Sequence, residues 1–224
     1  MQDLTLVIPA KYESESLPIF LKEISELDCK KLVVLEENDK LTINSIQSFS
    51  NVEILFQKNN GYGAALTEGI QKTTTDYFCI INADGSMNPS YLPKMIKIVK
   101  ENNIDFLFTS RYEKFDSGSD DDNLITLVGN YIFTKIGNIF FSLDITDILF
   151  TYVLGKTKSF NDLRLESKDF TFCVEFPIKA KRNHYKLATM GSHERSRIGG
   201  KKKVNAFKDG LLILLKMIKM FFVR

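Results

Sequence analysis

The run Tyr77-Phe78-Cys79-Ile80-Ile81, followed at once by Asn82-Ala83-Asp84-Gly85-Ser86, decides how the rest of the chain is read. Apolar and β-prone residues end in a carboxamide, a carboxylate and a glycine. This pattern describes a strand that delivers oxygen atoms to the carboxyl edge of a sheet, where open α/β folds bind ligands. Side-chain oxygens so closely spaced suit a hard cation such as Mg²⁺ or Mn²⁺ carrying a diphosphate. Taken alone, the same string also fits an ordinary strand end closed by an Asx turn.

Working outward, further β-rich runs cover residues 4–10, 31–35, 52–56 and 105–109, with the quoted strand at 77–81. Helical patterns lie between them at 17–27, 42–49, 64–72 and 90–102. Ser16 suits an N-cap followed by Pro18 in the first turn, and Pro89 introduces the fourth helix in the same manner. Strands alternating with helices imply right-handed βαβ units and a mostly parallel sheet. The pattern then changes: a long apolar helix over 124–143, a strand over 147–154, a helix over 170–181 and a strand over 186–190. Residues 191–203 read as a polar, basic loop, and residues 204–224 as a last helix. Residues 1–203 are therefore expected to form one catalytic domain, with 204–224 an appended helix.

With 224 residues, 44% of them hydrophobic and 26% charged, the chain can bury one substantial core and is not of disordered composition. Three widely spaced cysteines, Cys29, Cys79 and Cys173, read as reduced thiols of a cytoplasmic protein. The N-terminus shows no signal-peptide pattern. The net charge of +2 hides an uneven distribution: residues 179–224 hold thirteen Lys and Arg against Glu194 and Asp209, so residues 1–178 carry −9. An acidic run from Glu113 to Asp122 reads as flexible. A basic tail on an acidic body points to an anionic partner: phosphates, a membrane surface or nucleic acid.

The last helix is apolar at Phe207, Leu211, Leu214, Leu215, Ile218 and Phe222, but Lys208, Asp209, Lys216 and Lys219 interrupt it. A membrane span needs ~20 apolar residues. This helix is expected to lie in the interface, its lysines reaching anionic headgroups on the cytoplasmic face. Packing on the body, or in a homo-oligomer contact, is the alternative.

Other motifs sit at the same sheet edge. Val7-Ile8-Pro9-Ala10-Lys11-Tyr12-Glu13 closes the first strand, and Leu35-Glu36-Glu37-Asn38-Asp39 closes the second with acceptors for a nucleobase or for a helix cap. Gly61-Tyr62-Gly63-Ala64-Ala65 opens the third helix, where bare glycines suit a phosphate or ribose. Thr109-Ser110-Arg111-Tyr112 follows the fifth strand.

In this order and spacing the motifs resemble those of family 2 glycosyltransferases, most closely the dolichyl- or polyprenyl-phosphate mannose or glucose synthase branch. The resemblance implies a three-layer nucleotide-sugar-binding domain of GT-A type with a mostly parallel sheet, and metal-dependent, inverting sugar transfer. It implies a nucleotide-diphospho-sugar donor and a lipid-phosphate or lipid-linked glycan acceptor, and not nucleic acid. By position, Pro9, Ala10 and Glu13 match the nucleotide-binding first loop, and Glu36 and Glu37 stand where relatives carry an Asp-Asp pair. Gly61, Gly63, Asn82 and Ala83 fall on the donor side. Asp84 matches the metal-binding Asp of D-x-D, with Asn82 and Ser86 as the remaining ligands for Mg²⁺ or Mn²⁺. Arg111 matches the arginine near the acceptor, and Asp147 opens a segment that reads D-x-x-x-G-F in relatives. Arg195, Arg197, Lys202 and Lys203 belong to a basic loop that closes over phosphates.

The departures are specific. Asn82 removes one negative charge from the metal site, glutamates replace the Asp-Asp pair, and Thr151-Tyr152 replaces G-F. Breaking a sugar–diphosphate bond requires charge stabilisation, for which Arg195, Arg197 and Lys201 to Lys203 are candidates. A lipid phosphate needs no general base, whereas a hydroxyl acceptor does, and Asp144, Asp147 and Glu175 are the candidates. His184 and His193 read as surface or phosphate-loop residues, not as catalysts. The glycine pair also admits a dinucleotide-binding protein, and Asn82 with Thr151 admits a catalytically degenerate module that binds at a membrane.

Overall fold

The computed structural model describes residues 1–200 and 203–223, so Lys201, Lys202 and Arg224 lie outside the described residues. The chain forms β1 (Leu4–Pro9), α1 (Ser16–Glu23), β2 (Lys30–Leu35), α2 (Lys40–Ser45), β3 (Glu53–Phe56), α3 (Tyr62–Lys72) and β4 (Tyr77–Ile80). A 3₁₀ turn (Pro89–Tyr91), α4 (Leu92–Glu101) and β5 (Phe106–Ser110) complete the alternating part. Then come β6 (Gly118–Ser119), α5 (Leu124–Phe141), β7 (Val153–Lys156), α6 (Thr157–Asp162) and α7 (Phe172–Arg182). The chain closes with β8 (Leu187–Gly191), β9 (His193–Glu194) and α8 (Ala206–Phe222).

Seven strands form one sheet in the order β3-β2-β1-β4-β7-β5-β8, parallel throughout except for β7. Strands covered on both faces should be apolar at every position, and residues 4–8 of β1 are all buried. Alternation then sorts them: Leu6 and Ile8 join a core beneath α1 and α4, and Val7 joins a second core with Phe78, Phe106 and Phe176 beneath α3 and α7. In α4, Leu92, Met95, Ile96 and Val99 are buried at helical spacing, each contributing about 1.5–3 kcal/mol over exposure. From β1 the chain runs outward through β2 and β3, then returns to place β4 on the other side of β1. The β1/β4 boundary is thus the switch point, and the segments at 9–13 and 82–86 leave the sheet there.

Several expectations change. The strand expected over 147–154 begins only at Val153 in β7, because the backbone N–H groups of Ile148 and Leu149 donate to the Thr134 and Asn130 side chains of α5 instead of to a ladder. The helix expected over 42–49 begins at Lys40 and is short, capped by Asp39, whose carboxylate accepts the Thr42 N–H. The run 113–122 is pinned, not loose. Asp116 accepts from Tyr91 and Lys94, and β6 pairs with β9 inside the stretch expected to be a loop.

Helix α8 buries Ile213, Met217 and Met220 on the body and is held by Lys216, 3.3 Å from the buried carboxylate of Glu175. Its other face is open: Phe207, Leu211, Leu215 and Phe222 are exposed. Neighbouring α5 extends the same apolar surface with Leu124, Ile125, Tyr131, Ile139 and Phe140. By length and composition alone, α5 is the one described helix apolar enough to cross a membrane, with mean hydropathy 1.3.

Candidate active site

A cleft of about 550 Å³ opens over the carboxyl ends of β1, β2, β4 and β5. Of the residues expected in the site, Pro9, Ala10, Glu13, Glu36, Gly61, Asn82, Ala83, Asp84, Arg111, Arg197 and Lys203 line it. Ser86 is buried beneath it. Glu37, Gly63, Asp147 and Arg195 do not line it, and Lys202 lies outside the described residues.

The centre is a tight turn after β4. Gly85 has φ +74°, a left-handed conformation that favours glycine. The turn lets the Ser86 N–H and hydroxyl both donate to Asp84 Oδ1, at 3.1 and 2.9 Å. Oδ1 is therefore committed, and Oδ2 faces the cleft, where Arg197 Nη1 lies 3.3 Å away. Asn82 Oδ1 accepts from the Tyr62 hydroxyl at 3.2 Å, and that hydroxyl lies 2.5 Å from Thr151 Oγ1. Tyr62 is stacked on Phe170 with 5.0 Å between ring centres, and burial pushes its phenol far above the usual range. These donor atoms are hard oxygens, but only one is an uncommitted carboxylate oxygen. Among the described residues no group of three His, Cys, Asp or Glu could hold a metal ion alone. The set fits Mg²⁺ or Mn²⁺ when further oxygens, such as those of a diphosphate, complete the shell.

The loop after β9 straps this turn. The Arg195 and Ile198 N–H groups donate to the carbonyls of Ser86 (2.8 Å) and Asp84 (2.9 Å). The Arg195 guanidinium is spent on Glu23, at 2.8 and 3.1 Å, and on the Gly85 carbonyl. It holds the turn instead of facing a phosphate. Arg197 bridges Asp84 and Asp121, with Nε 3.0 Å from the Asp121 carboxylate. Farther on, Lys203 pairs with Glu13, which also accepts the Ser16 hydroxyl at 2.5 Å.

Beyond β2, Glu36 pairs with Lys11 at 2.7 Å, whereas Glu37 is exposed and outside the cleft. Asp39 does the structural work, accepting the Tyr12 N–H at 2.7 Å as well as capping α2. Gly61 and Gly63 serve close packing. A Cβ at Gly61 would stand 2.1 Å from the Lys168 carbonyl, and one at Gly63 2.5 Å from that of Ser167. Protein backbone, not a dinucleotide, is what they accommodate.

The opposite wall centres on Arg111. Its guanidinium grips Asp147 in two places, 2.7 and 3.0 Å, and reaches Glu194 at 3.2 Å. Burial alone would lower its pKa, but the adjacent carboxylates, Asp147 foremost, raise it further, so it stays charged. Asp147 also accepts from the Arg111 N–H and from Asn130, leaving it fully engaged and without exposed side-chain surface. It holds Arg111 and cannot serve as a base open to substrate. The other sequence candidates fail by place. Asp144 lies in an exposed loop after α5, and Glu175 is buried between Ser167, Lys179 and Lys216. His184 is exposed, and half-exposed His193 pairs with Asp120. Burial pushes the Cys173 thiol up to about 12, so this cleft residue is no nucleophile.

Sequence reasoning missed Tyr62, Asp121 and Glu194 as cleft residues. Tyr62 was visible between the two glycines. Asp121 and Glu194 gave no local signal, because the β6–β9 pairing brings them in.

Residues 5–164 match the family model described as Glycosyl transferase family 2. Uncharacterized glycosyltransferases of Mycobacterium bovis and Mycobacterium tuberculosis are 30% identical over 93 residues, which is 42% of this chain and 42% of theirs. The structure resembles glucosyl-3-phosphoglycerate synthase from Mycobacterium tuberculosis, solved with Mn²⁺, UDP-glucose and phosphoglyceric acid, at a TM-score of 0.72. That match has 14% identity and covers 99% of this chain and 80% of the other. It also resembles mannosyl-3-phosphoglycerate synthase from Rubrobacter xylanophilus, with a TM-score of 0.70, 14% identity and coverage of 97% and 72%. At such identity these likenesses establish the fold, a GT-A-like α/β domain.

Proposed function

Because the chain belongs to glycosyl transferase family 2, we propose that it transfers a sugar, with inversion, from a nucleotide-diphospho-sugar to a lipid-carried acceptor. That acceptor is polyprenyl phosphate or a lipid-linked glycan, met at the cytoplasmic membrane face. The observation that carries the donor half is the Asp84 turn: one carboxylate oxygen aimed into a cleft at the sheet's switch point, beneath a strapped basic loop. Asp84, with Asn82 as the neighbouring oxygen, would hold Mg²⁺ or Mn²⁺, whose charge would stabilise a departing diphosphate. The solved synthase with Mn²⁺ and UDP-glucose supports this reading by analogy of fold.

The chain's own groups do the rest. Glu36 and the Lys11–Tyr12 turn form the outer donor wall, and Arg197 is placed to exchange Asp84 for phosphate oxygens. The lipid half rests on the exposed apolar face that α5 and α8 share, with Lys135, Lys208 and Lys219 exposed along the same two helices. Radiolabelled UDP- and GDP-hexoses, supplied with polyprenyl phosphate or lipid-linked glycan in anionic vesicles, test the proposal. Label should enter the organic phase only with divalent metal. Label that stays in water as free sugar under every condition contradicts it.

A further inference from the structure

We propose that Glu194 is the catalytic base, and that the atom it activates is a hydroxyl of the acceptor, not a phosphate. This deepens the transferase reading and rests on it.

Glu194 lines the cleft from β9, and its side chain is 10% exposed. Its Oε2 is fixed by the Ser119 hydroxyl at 2.5 Å and by Arg111 Nη1 at 3.2 Å. Among the described residues, Oε1 has no hydrogen-bond partner. A carboxylate held at one oxygen and open at the other, at the wall of a substrate cleft, is what proton abstraction requires. Of the other carboxylates lining the cleft, Glu13 is engaged by Lys203 and Ser16, and Asp84 and Asp121 by Arg197, whereas Glu36, held by Lys11 at Oε1, lies beyond β2 and away from the Arg111 wall.

Charge selects the nucleophile. Around this wall two arginines, Arg111 and Arg197, face five carboxylates: Asp84, Asp121, Asp122, Asp147 and Glu194. Among these described groups the carboxylates outnumber the arginines by three. Every described cation lining the cleft is already paired, Lys11, Arg111, Arg197 and Lys203 alike. A phosphate acceptor would add charge to a wall that repels it, whereas a sugar hydroxyl is neutral and benefits from a carboxylate in reach. Of the two lipid-carried acceptors, the wall therefore suits the glycan.

In the step proposed, the acceptor oxygen forms a bond to the anomeric carbon as the bond from that carbon to the diphosphate oxygen breaks. The electron pair leaves with the nucleoside diphosphate. The hydroxyl proton passes to Glu194 Oε1 and from there to solvent at the cleft mouth.

Glu194→Gln keeps an oxygen for Ser119 and Arg111 while removing the base. Three nucleophiles are offered with the same radiolabelled donor: farnesyl-diphosphate-linked N-acetylglucosamine, farnesyl phosphate, and azide, which has no proton to lose. Wild type should glycosylate the hydroxyl probe and not farnesyl phosphate. Glu194→Gln should lose at least ~100-fold of that transfer, yet keep the thermal shift given by nucleoside diphosphate and the azide reaction. Undiminished hydroxyl transfer in Glu194→Gln, or wild-type transfer to farnesyl phosphate, overturns the assignment. Loss of the azide reaction and the thermal shift together with transfer would show a structural role and overturn it also. A wild-type protein that turns over no donor with any of the three overturns the transferase reading itself.

Discussion

Arg197 Nη1 stands 3.3 Å from Asp84 Oδ2, so the one uncommitted carboxylate oxygen of the turn is occupied by a guanidinium from the C-terminal loop. Cation binding and the position of this loop are therefore coupled. The arginine must leave Asp84 for a metal to approach, and a diphosphate gives it somewhere to go.

Removing the competitor separates the two events. Arg197→Gln should bind Mn²⁺ about fivefold more tightly without nucleotide, the worth of a partly exposed ion pair near 1 kcal/mol. Donor turnover should fall more than tenfold in the same variant. Calorimetric titration of Mn²⁺ and a nucleotide-release assay check the two halves.

Asn82 contributes an amide oxygen where a carboxylate would add charge, and that oxygen already accepts from Tyr62. Asn82→Asp preserves this acceptor and should tighten Mn²⁺ about five- to tenfold, through one further charge beside a hard cation. Unchanged affinity in a folded variant would place the cation away from residue 82.

At Gly85 the backbone φ is +74°, and a Cβ would stand 2.3 Å from Ile198 Cδ1. Gly85→Ala should therefore cost about 1–3 kcal/mol of stability and lift the strap from the Asp84 turn. Thermal unfolding should register the first effect. A loss of nucleotide affinity larger than the stability loss should register the second.

Glu175 anchors α8 through Lys216. Burial alone would raise its pKa, but donors from Ser167 and Lys179 and the charge of Lys216 outweigh it and hold the carboxyl at about 2, below 4.5. A depressed folded-state value stabilises above the unfolded pKa, so the contribution is full above pH 4.5 and is lost as pH falls toward 2. Its size is on the order of 3 kcal/mol. Denaturant melts of Glu175→Gln should show lower stability at pH 7, with the difference from wild type shrinking across that window.

Much of this was legible in the sequence because it is local. Apolar runs at 4–8 and 77–80 ending in acceptors gave the parallel strands and their functional edge, and Asn82 to Ser86 gave the turn. What the sequence hid is non-local. Asp147 looked like a base, but Arg111 and Asn130 surround it from distant segments. Arg195 looked like a phosphate ligand, but Glu23 takes its guanidinium. Glu194 carried no motif and becomes visible only when β9 pairs with β6 and meets Arg111.

The proposed function stands on a nucleotide-diphosphate site whose cation would be held by the single carboxylate of Asp84. Thermal unfolding with UDP or GDP, each with and without Mn²⁺, tests it most directly, using wild type and Asp84→Ala. One nucleotide should raise the wild-type Tm by several degrees only when Mn²⁺ is present, as ligand-linked stability requires, and Asp84→Ala should show no such shift. Equal stabilisation without metal, or an undiminished metal-dependent shift in Asp84→Ala, would contradict the account.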